Sequence, residues 1–382
     1  MTDRLDALSC RQDRAPSSSL QGIKILVVDA LPPWYHGGVQ KVIGETAKRL
    51  VVEHGASVEI RSGDVTSTAS LIWNGVPVKT YQTRRWQGYA SLAMLQEIKR
   101  DSKGFDVVHA HGSGPIVPLM AALARGTTPL VFSAHFHPQA SSLGRAPAKW
   151  GYDHLCNAYI FRQANKVVCV SDTEKRCIER RFKLRAGSLL TIPNGVDTAR
   201  IMEAKPYDVD YTLILSVGRL EKYKQNQLTI EALKQLPKHY RFFMIGKGPY
   251  RKTLEAIIRK NKLEDRAQVF CSCSDDQVYR WLRTCSVVMN LSEIEAFGIS
   301  VLEALAAGKG VIVNDKLGLA ELARKFAGAI FPVDPDLTDP VKMAELIEKV
   351  ATKRIDNVNL REFQWPFIAR RMLEVYEDVI TS

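Results

Sequence analysis

Short apolar segments alternate with amphipathic segments along most of the chain. Runs rich in apolar residues predict strands at 22–29, 58–61, 106–111, 129–134, 167–171, 189–192, 213–217, 242–245, 269–273, 286–291 and 310–314. Apolar residues spaced three or four apart predict helices, among others at 39–52, 90–100, 299–307, 342–352 and 367–380. This alternation favours parallel sheets, which bind ligands at the carboxyl ends of their strands.

The length of the chain and a turn signal near its middle predict two domains. At 382 residues, two domains are expected. The turn signal Asn194-Gly195 closes the first set of strands, and a charged linker with Pro206 runs on to about Tyr211. We therefore expect a first domain at 22–198 and a second at 199–365. Residues 1–21 contain no apolar core of signal-peptide length, and we interpret them as a flexible tail.

The charge balance narrows the choice of partners. The 53 Lys and Arg exceed the 41 Asp and Glu, which gives a net charge of +12. Basic residues are spread along the chain without an RNA- or DNA-binding motif, so nucleic acid is not an expected partner. An anionic small substrate or an anionic membrane surface suits the charge better. Arg84, Arg85, Trp86 and Tyr89 fit a peripheral membrane contact, but a locally packed loop explains them equally well.

The remaining composition indicates a cytoplasmic protein. No apolar run approaches the ~18 residues of a transmembrane helix. The chain has seven cysteines, an odd number, which favours free thiols in a reducing compartment. We expect a cytoplasmic location that includes, as an open alternative, the inner face of the membrane.

One stretch combines an anion site with two carboxylates. A predicted strand at 286–291 is followed by a loop that contains Glu295, a turn at Gly298 and a buried helix that carries Glu303 one turn from its start. Free N–H groups at a helix start attract phosphate, and a carboxylate accepts hydrogen bonds from neighbouring hydroxyls. Sugar nucleotides offer both features. Alternatively, the two residues are ordinary loop and helix-surface glutamates.

Two other loops suit phosphate. Gly37 and Gly38 stand between the first strand and the first helix, where glycine permits close backbone approach, although the pair also suits a tight turn. Arg219 and Lys224 follow the strand at 213–217 and can neutralise a leaving diphosphate without a metal, or simply form a solvated basic loop.

The segment from Glu295 to Glu303 resembles the Glu-x7-Glu motif of the retaining glycosyltransferases of family 4, which have the GT-B fold. The resemblance extends from about Gly22 to the C-terminus and includes the Gly-Gly loop, Gly218-Arg219-Leu220 and Pro193-Asn194-Gly195-Val196-Asp197. It implies two Rossmann-like domains that face each other across a donor-binding cleft. It also implies that the last helix, at 366–382, crosses back to complete the first domain.

The resemblance also implies roles for individual residues. Glu295 and His135 are expected to contact the donor sugar, and Glu303 the ribose; the expected catalytic residues are His135, Arg219, Lys224 and Glu295. The expected donor-binding residues are Gly37, Gly38, Gly218, Arg219, Lys224, Gly246, Lys247, Gly248, Cys273, Glu295, Ala296, Phe297, Gly298, Ile299 and Glu303. The sequence departs from the family at Gln225 and Leu317, where glycine is usual. The departure at Gln225 puts the path of its loop in doubt.

The expected activity is metal-independent transfer of a sugar from a nucleotide donor, most simply a UDP- or GDP-sugar, to a hydroxyl acceptor with retention of configuration. No bound cofactor or metal is expected. The acceptor is left open between a glycan and a lipid-linked molecule. A sugar-nucleotide epimerase of the same architecture and a non-catalytic sugar-nucleotide-binding protein are the alternatives. An epimerase needs no acceptor, and a non-catalytic protein would not require the charged residues at 219, 224, 295 and 303.

Overall fold

The computed structural model describes residues 22–35, 37–84, 90–113, 116–136, 147–336, 339–356 and 358–382. Within them the chain forms two Rossmann-like α/β domains, each built around its own sheet. Apolar cores lie on both faces of each sheet. The expected tail at residues 1–21 lies outside the described part of the chain.

The N-terminal sheet has eight strands among the described residues, in the order β3-β4-β2-β1-β5-β6-β7-β8. The strands are β1 Lys24–Asp29, β2 Ser57–Asp64, β3 Ala69–Trp73, β4 Val76–Gln82, β5 Val107–His111, β6 Leu130–Ser133, β7 Lys166–Cys169 and β8 Leu189–Thr191. The helices that connect them are α1 Gly38–Val52, α2 Leu92–Asp101, α3 Ile116–Ala124, α4 Pro147–Gln163 and α5 Asp172–Arg181.

An antiparallel hairpin at one edge corrects the expectation of a purely parallel sheet. Strands β3 and β4 pair in antiparallel register around a two-residue turn at Asn74 and Gly75. Both turn residues have positive φ, 49° and 82°, as the common hairpin turns require. The Asn-Gly pair is the local signal for this hairpin.

The C-terminal domain contains a fully parallel sheet in the order β11-β10-β9-β12-β13-β14. Its strands are β9 Thr212–Val217, β10 Tyr240–Ile245, β11 Ala267–Phe270, β12 Val287–Asn290, β13 Gly310–Asn314 and β14 Ile330–Val333. Its helices are α6 Thr198–Glu203, α7 Asn226–Leu233, α8 Arg251–Lys260, α9 Asp275–Thr284, α10 Ile299–Ala306, α11 Leu317–Lys325 and α12 Pro340–Ala351. The strand predicted at 269–273 ends earlier, at Phe270, so Cys273 lies in the following loop.

The chain crosses between the domains twice, and the two crossings touch. Val196 donates its backbone N–H to the carbonyl of Phe363 at 2.7 Å. A side chain at Gly195 would collide with Trp365, since an added Cβ would lie 2.3 Å from the indole ring. Helix α13, Trp365–Thr381, then packs on helix α1 and joins the core of the N-terminal domain. No helix in the described part of the chain is both long enough and apolar enough to cross a membrane.

Candidate active site

The loop before helix α10 is shaped by a glycine turn and a buried anchor. Gly298 has φ +102° and is the residue from which the helix begins. Phe297 is buried in the C-terminal core and anchors the loop that carries Glu295, and Ala296 packs partly against the same core. Gly318 closes the loop from behind: its N–H donates to the Glu295 carbonyl at 3.1 Å. A Cβ at Gly318 would lie 2.1 Å from the Ala296 carbonyl oxygen, so the contact requires glycine.

Two helix N-termini meet in the cleft. Ile299, the first residue of α10, comes within 3.7 Å of the position that a Cβ on Gly38 would take, at the start of α1. Neither helix has a side-chain cap or an acidic residue in its first turn. Their free N–H groups and dipoles therefore create a positive potential that is suited to a phosphate.

A buried carboxylate fixes the glycine loop in front of α1. Gln40 donates to Asp29 at the end of β1, with Nε2 2.9 Å from Oδ2. The Gln40 side chain crosses so close to Gly37 that a Cβ there would lie 2.3 Å from its Oε1. Burial raises the pKa of Asp29 to about 6, although hydrogen bonds from Gln40 and the loop backbone oppose the shift.

Glu303 lies behind the two helix starts and is paired with a lysine of the other domain. Lys41, in the first turn of α1, places Nζ 2.5 Å from Glu303 Oε1 and 3.2 Å from Tyr279 Oη. Burial works against the charge of Lys41, but the Glu303 carboxylate outweighs it and raises the pKa of Lys41. The ion pair connects the two domains at the carboxylate expected to bind ribose.

Glu295 is also paired with a lysine, in this case within its own domain. Lys224 follows β9 in a short 3-10 turn and forms an ion pair with Glu295. Arg219, earlier in the same loop, is exposed and pairs with Glu221 at 2.6 Å. The loop after β9 therefore supplies two cations at the edge of the cleft.

Glycines bring the ends of β9 and β10 into direct contact. A Cβ at Gly246 would lie 1.8 Å from the carbonyl oxygen of Gly218, and one at Gly248 would lie 2.1 Å from that of Leu220. The Leu220 N–H donates to the Lys247 carbonyl at 2.9 Å. The residues that follow β10 are thus held against the loop that carries Arg219 and Lys224.

The two departures from the family pattern lie where the backbone has positive φ. Gln225 has φ +54° and Leu317 has φ +52°, values that glycine adopts more easily. Gln225 keeps the turn, and its Nε2 donates to Glu293 at 2.9 Å. The loop path therefore has the left-handed turn that a glycine would allow.

Three histidines extend from the sheet to the cleft. His135 has φ +45°, and its Nε2 lies 3.4 Å from Nδ1 of His111. His109 contacts Ser133 at 2.8 Å and Tyr376 of α13 at 2.7 Å. Burial lowers the pKa of His109 to about 3 and that of His111 well below its usual range. Both buried rings are therefore neutral at physiological pH.

The start of α5 connects the His135 turn to the other domain. Glu174, which is buried, accepts hydrogen bonds from the backbone N–H groups of Phe136 and of Val170, the latter at 2.6 Å. Burial raises the pKa of Glu174 to about 7, although these two bonds oppose the shift. One residue earlier, Thr173 donates its N–H and its hydroxyl to Glu321 of α11 at 2.8 and 2.7 Å.

Two predicted features remain, Cys273 and the membrane segment, together with two contacts that the sequence did not predict. Cys273, expected near the base, is half-buried in the loop between β11 and α9. The proposed membrane segment falls mainly on residues 85–89, which lie outside the described residues. Sequence reasoning missed the contacts of Lys41 and Glu174, since a lone lysine or glutamate in a helix gives no local signal.

Comparison with known families agrees with this geometry. The model described as "Glycosyltransferase Family 4" matches residues 36–200, and the model described as "Glycosyl transferases group 1" matches residues 197–363. The two matches meet at the junction between the domains.

The individual relatives and the solved structure described next share between 18% and 28% sequence identity with this chain. A phosphatidylinositol N-acetylglucosaminyltransferase component from Arabidopsis thaliana is 28% identical over 83% of this chain and 72% of the relative. The GDP-mannose:cellobiosyl-diphosphopolyprenol alpha-mannosyltransferase of Komagataeibacter xylinus is 24% identical over 80% of this chain and 79% of the relative. HepE of Anabaena, solved with UDP and glucose, superposes with a TM-score of 0.75 at 18% identity, over 93% of this chain and 100% of that one. With both domains matched in order, the chain belongs to the family 4 glycosyltransferases of the GT-B fold.

Proposed function

We propose that this glycosyltransferase moves a sugar from a nucleoside-diphosphate donor to a hydroxyl acceptor, with retention of anomeric configuration and without a metal. One observation carries the proposal. The two uncapped helix starts at Gly38 and Ile299 lie next to each other, with Glu295 before and Glu303 after the second of them. A diphosphate flanked by a sugar and a ribose matches this order of charges.

The donor is arranged along the C-terminal domain in this proposal. Glu303 accepts hydrogen bonds from the ribose hydroxyls, and Glu295 accepts them from the sugar. The base lies near the loops after β10 and β11, which contain residues 246–248 and Cys273. His135 reaches the sugar from the N-terminal domain, where Glu174 and His111 hold its turn.

Charge on the leaving group is the main electrostatic demand of the reaction. The bond between the anomeric carbon and the diphosphate oxygen breaks, and the acceptor oxygen bonds to the same face of the sugar. The acceptor proton passes to the departing diphosphate. Arg219, Lys224 and the two helix starts stabilise the charge that develops there, a contribution of the kind that metals supply in other transferases.

The acceptor and the location complete the proposal. The names of two relatives refer to a phosphatidylinositol and to a diphosphopolyprenol, both of which are lipids. A lipid-linked acceptor that is reached from the cytoplasmic face of a membrane is consistent with these names and with the net charge of +12. A glycan acceptor is the second candidate.

A thermal-shift panel of UDP-, GDP- and ADP-sugars tests the donor class. A ligand that binds only the folded protein raises its apparent stability. The donor selected in this way is then incubated with and without candidate acceptors. An acceptor-dependent product of unchanged anomeric configuration supports the proposal. Conversion of the donor without an acceptor would indicate an epimerase, and absence of any shift would reject sugar-nucleotide binding.

A further inference from the structure

Lys41 lies beside the carboxylate that is proposed to bind the ribose. Its ammonium group contacts Glu303, whose side chain is 7% exposed, while the Lys41 side chain is 23% exposed. Tyr279 supports the pair through its hydroxyl and through its ring, whose centroid lies 5.3 Å from Nζ. The lysine belongs to one domain and the carboxylate to the other.

Ribose hydroxyls and the Lys41 ammonium group compete for the same acceptor. Each is a donor, and Lys41 already takes Glu303 Oε1. A ribose hydroxyl that takes the Oε1 position now held by Lys41 displaces the lysine, and a displaced ammonium group in a half-buried place requires another anion. The new anion has to lie within reach of the first turn of α1.

The geometry of helix α1 indicates where this anion lies relative to Lys41. The Lys41 N–H donates to the Gly37 carbonyl at 3.0 Å, which fixes the residue on the first turn directly behind the glycine loop. Side chains on a helix lean toward its N-terminus. The stem of Lys41 therefore leads toward the pair of helix starts where the diphosphate is proposed to lie.

We propose that Lys41 is a donor-binding residue that exchanges the Glu303 carboxylate for the diphosphate of the donor when the ribose binds. This inference rests on the proposed function. It adds a phosphate ligand from the N-terminal domain to Arg219 and Lys224 of the C-terminal domain. The Lys41–Glu303 ion pair joins the two domains in this structure. By the same movement, a diphosphate that bridges the domains would replace it.

Titration calorimetry with uridine and with UDP tests the exchange. If the thermal-shift panel selects guanine or adenine as the base, guanosine and GDP or adenosine and ADP are used instead. The measured quantity is the ratio of the two dissociation constants. In Lys41→Met the preference for the diphosphate over the nucleoside should fall roughly ten- to a hundredfold, the range for a hydrogen bond to a charged group. Uridine affinity should stay unchanged or rise, because its competitor for Glu303 is removed.

Two variants control the result. Lys41→Arg retains the charge and should keep most of the preference for UDP. Lys48→Met removes an exposed lysine from the same helix and should leave the ratio unchanged. If Lys41→Met binds UDP with the wild-type ratio or a higher one, Lys41 only fills the ribose site and the inference is wrong. If the wild-type protein binds none of the three diphosphates, the proposed function itself fails.

Discussion

The two glutamates of the cleft should respond differently to truncation. Glu303→Ala removes the proposed ribose acceptor, and a hydrogen bond to a charged group contributes ~1.5–3 kcal/mol, so uridine affinity should fall roughly ten- to a hundredfold. The loss for UDP should be smaller, because Lys41 is paired with Glu303 and its charge becomes available to the phosphates. Glu295→Ala should leave uridine affinity unchanged.

The lysine partner of Glu295 gives that second variant a recognisable signature. Lys224 is ion-paired with Glu295, and removing the carboxylate leaves its charge to the diphosphate. UDP affinity should therefore stay constant or increase, while turnover of the sugar donor falls, most strongly in kcat if the contact tightens in the transition state. Titration calorimetry with uridine and UDP, followed by donor kinetics, measures both effects. Equal losses of uridine affinity in the two variants would refute the assignment.

Three further outcomes are expected. Turnover should persist in excess EDTA, and a loss of activity in EDTA that Mg²⁺ or Mn²⁺ restores would contradict the proposal. The variant Arg219→Ala should lower kcat by about 10²–10³, because this side chain stabilises the charge of the leaving group. Gly246→Ala forces a methyl group to within 1.8 Å of a carbonyl and should lower the thermal midpoint by several degrees, whereas Gly104→Ala, with nothing within 4 Å, should not; equal midpoints would reject the close contact. Burial raises the pKa of Glu174 from 4.5 to about 7, so proton release favours the unfolded state and stability should fall by roughly 3 kcal/mol as pH rises from about 4.5 to 7. Glu174→Gln should flatten this fall in denaturant titrations across pH, and an unchanged slope would count against it.

Local patterns predicted most of the fold because each strand is a short apolar run that ends at a polar loop. They failed at the β3–β4 hairpin, although β3 is rich in apolar residues and the turn signal Asn74-Gly75 follows it; β3 is an edge strand whose side chains are largely exposed. The strand predicted at 269–273 extends too far, because Cys271 and Cys273 fit an apolar pattern but belong to the loop before α9.

The candidate site was less accessible to sequence reasoning. Glycine-rich turns and the Glu295–Glu303 spacing are local features, and the structure places them at two neighbouring helix starts. The partners of these residues come from distant parts of the chain: Lys41 and Glu303 are 262 positions apart. Such pairs depend on how the two domains meet, which a single sequence does not encode in any short pattern.

The return of helix α13 to the first domain has a consequence for synthesis. Trp365, Ile368 and Tyr376 are buried with strands that emerge from the ribosome more than 170 positions earlier, since β8 ends at Thr191. The N-terminal domain therefore has part of one apolar face, the part that α13 covers, exposed while the whole C-terminal domain is translated. Domains usually fold in order of synthesis, and exposed apolar surface promotes aggregation. A nascent chain that stalls before Trp365 should thus be a substrate for chaperones, even though both of its sheets are complete.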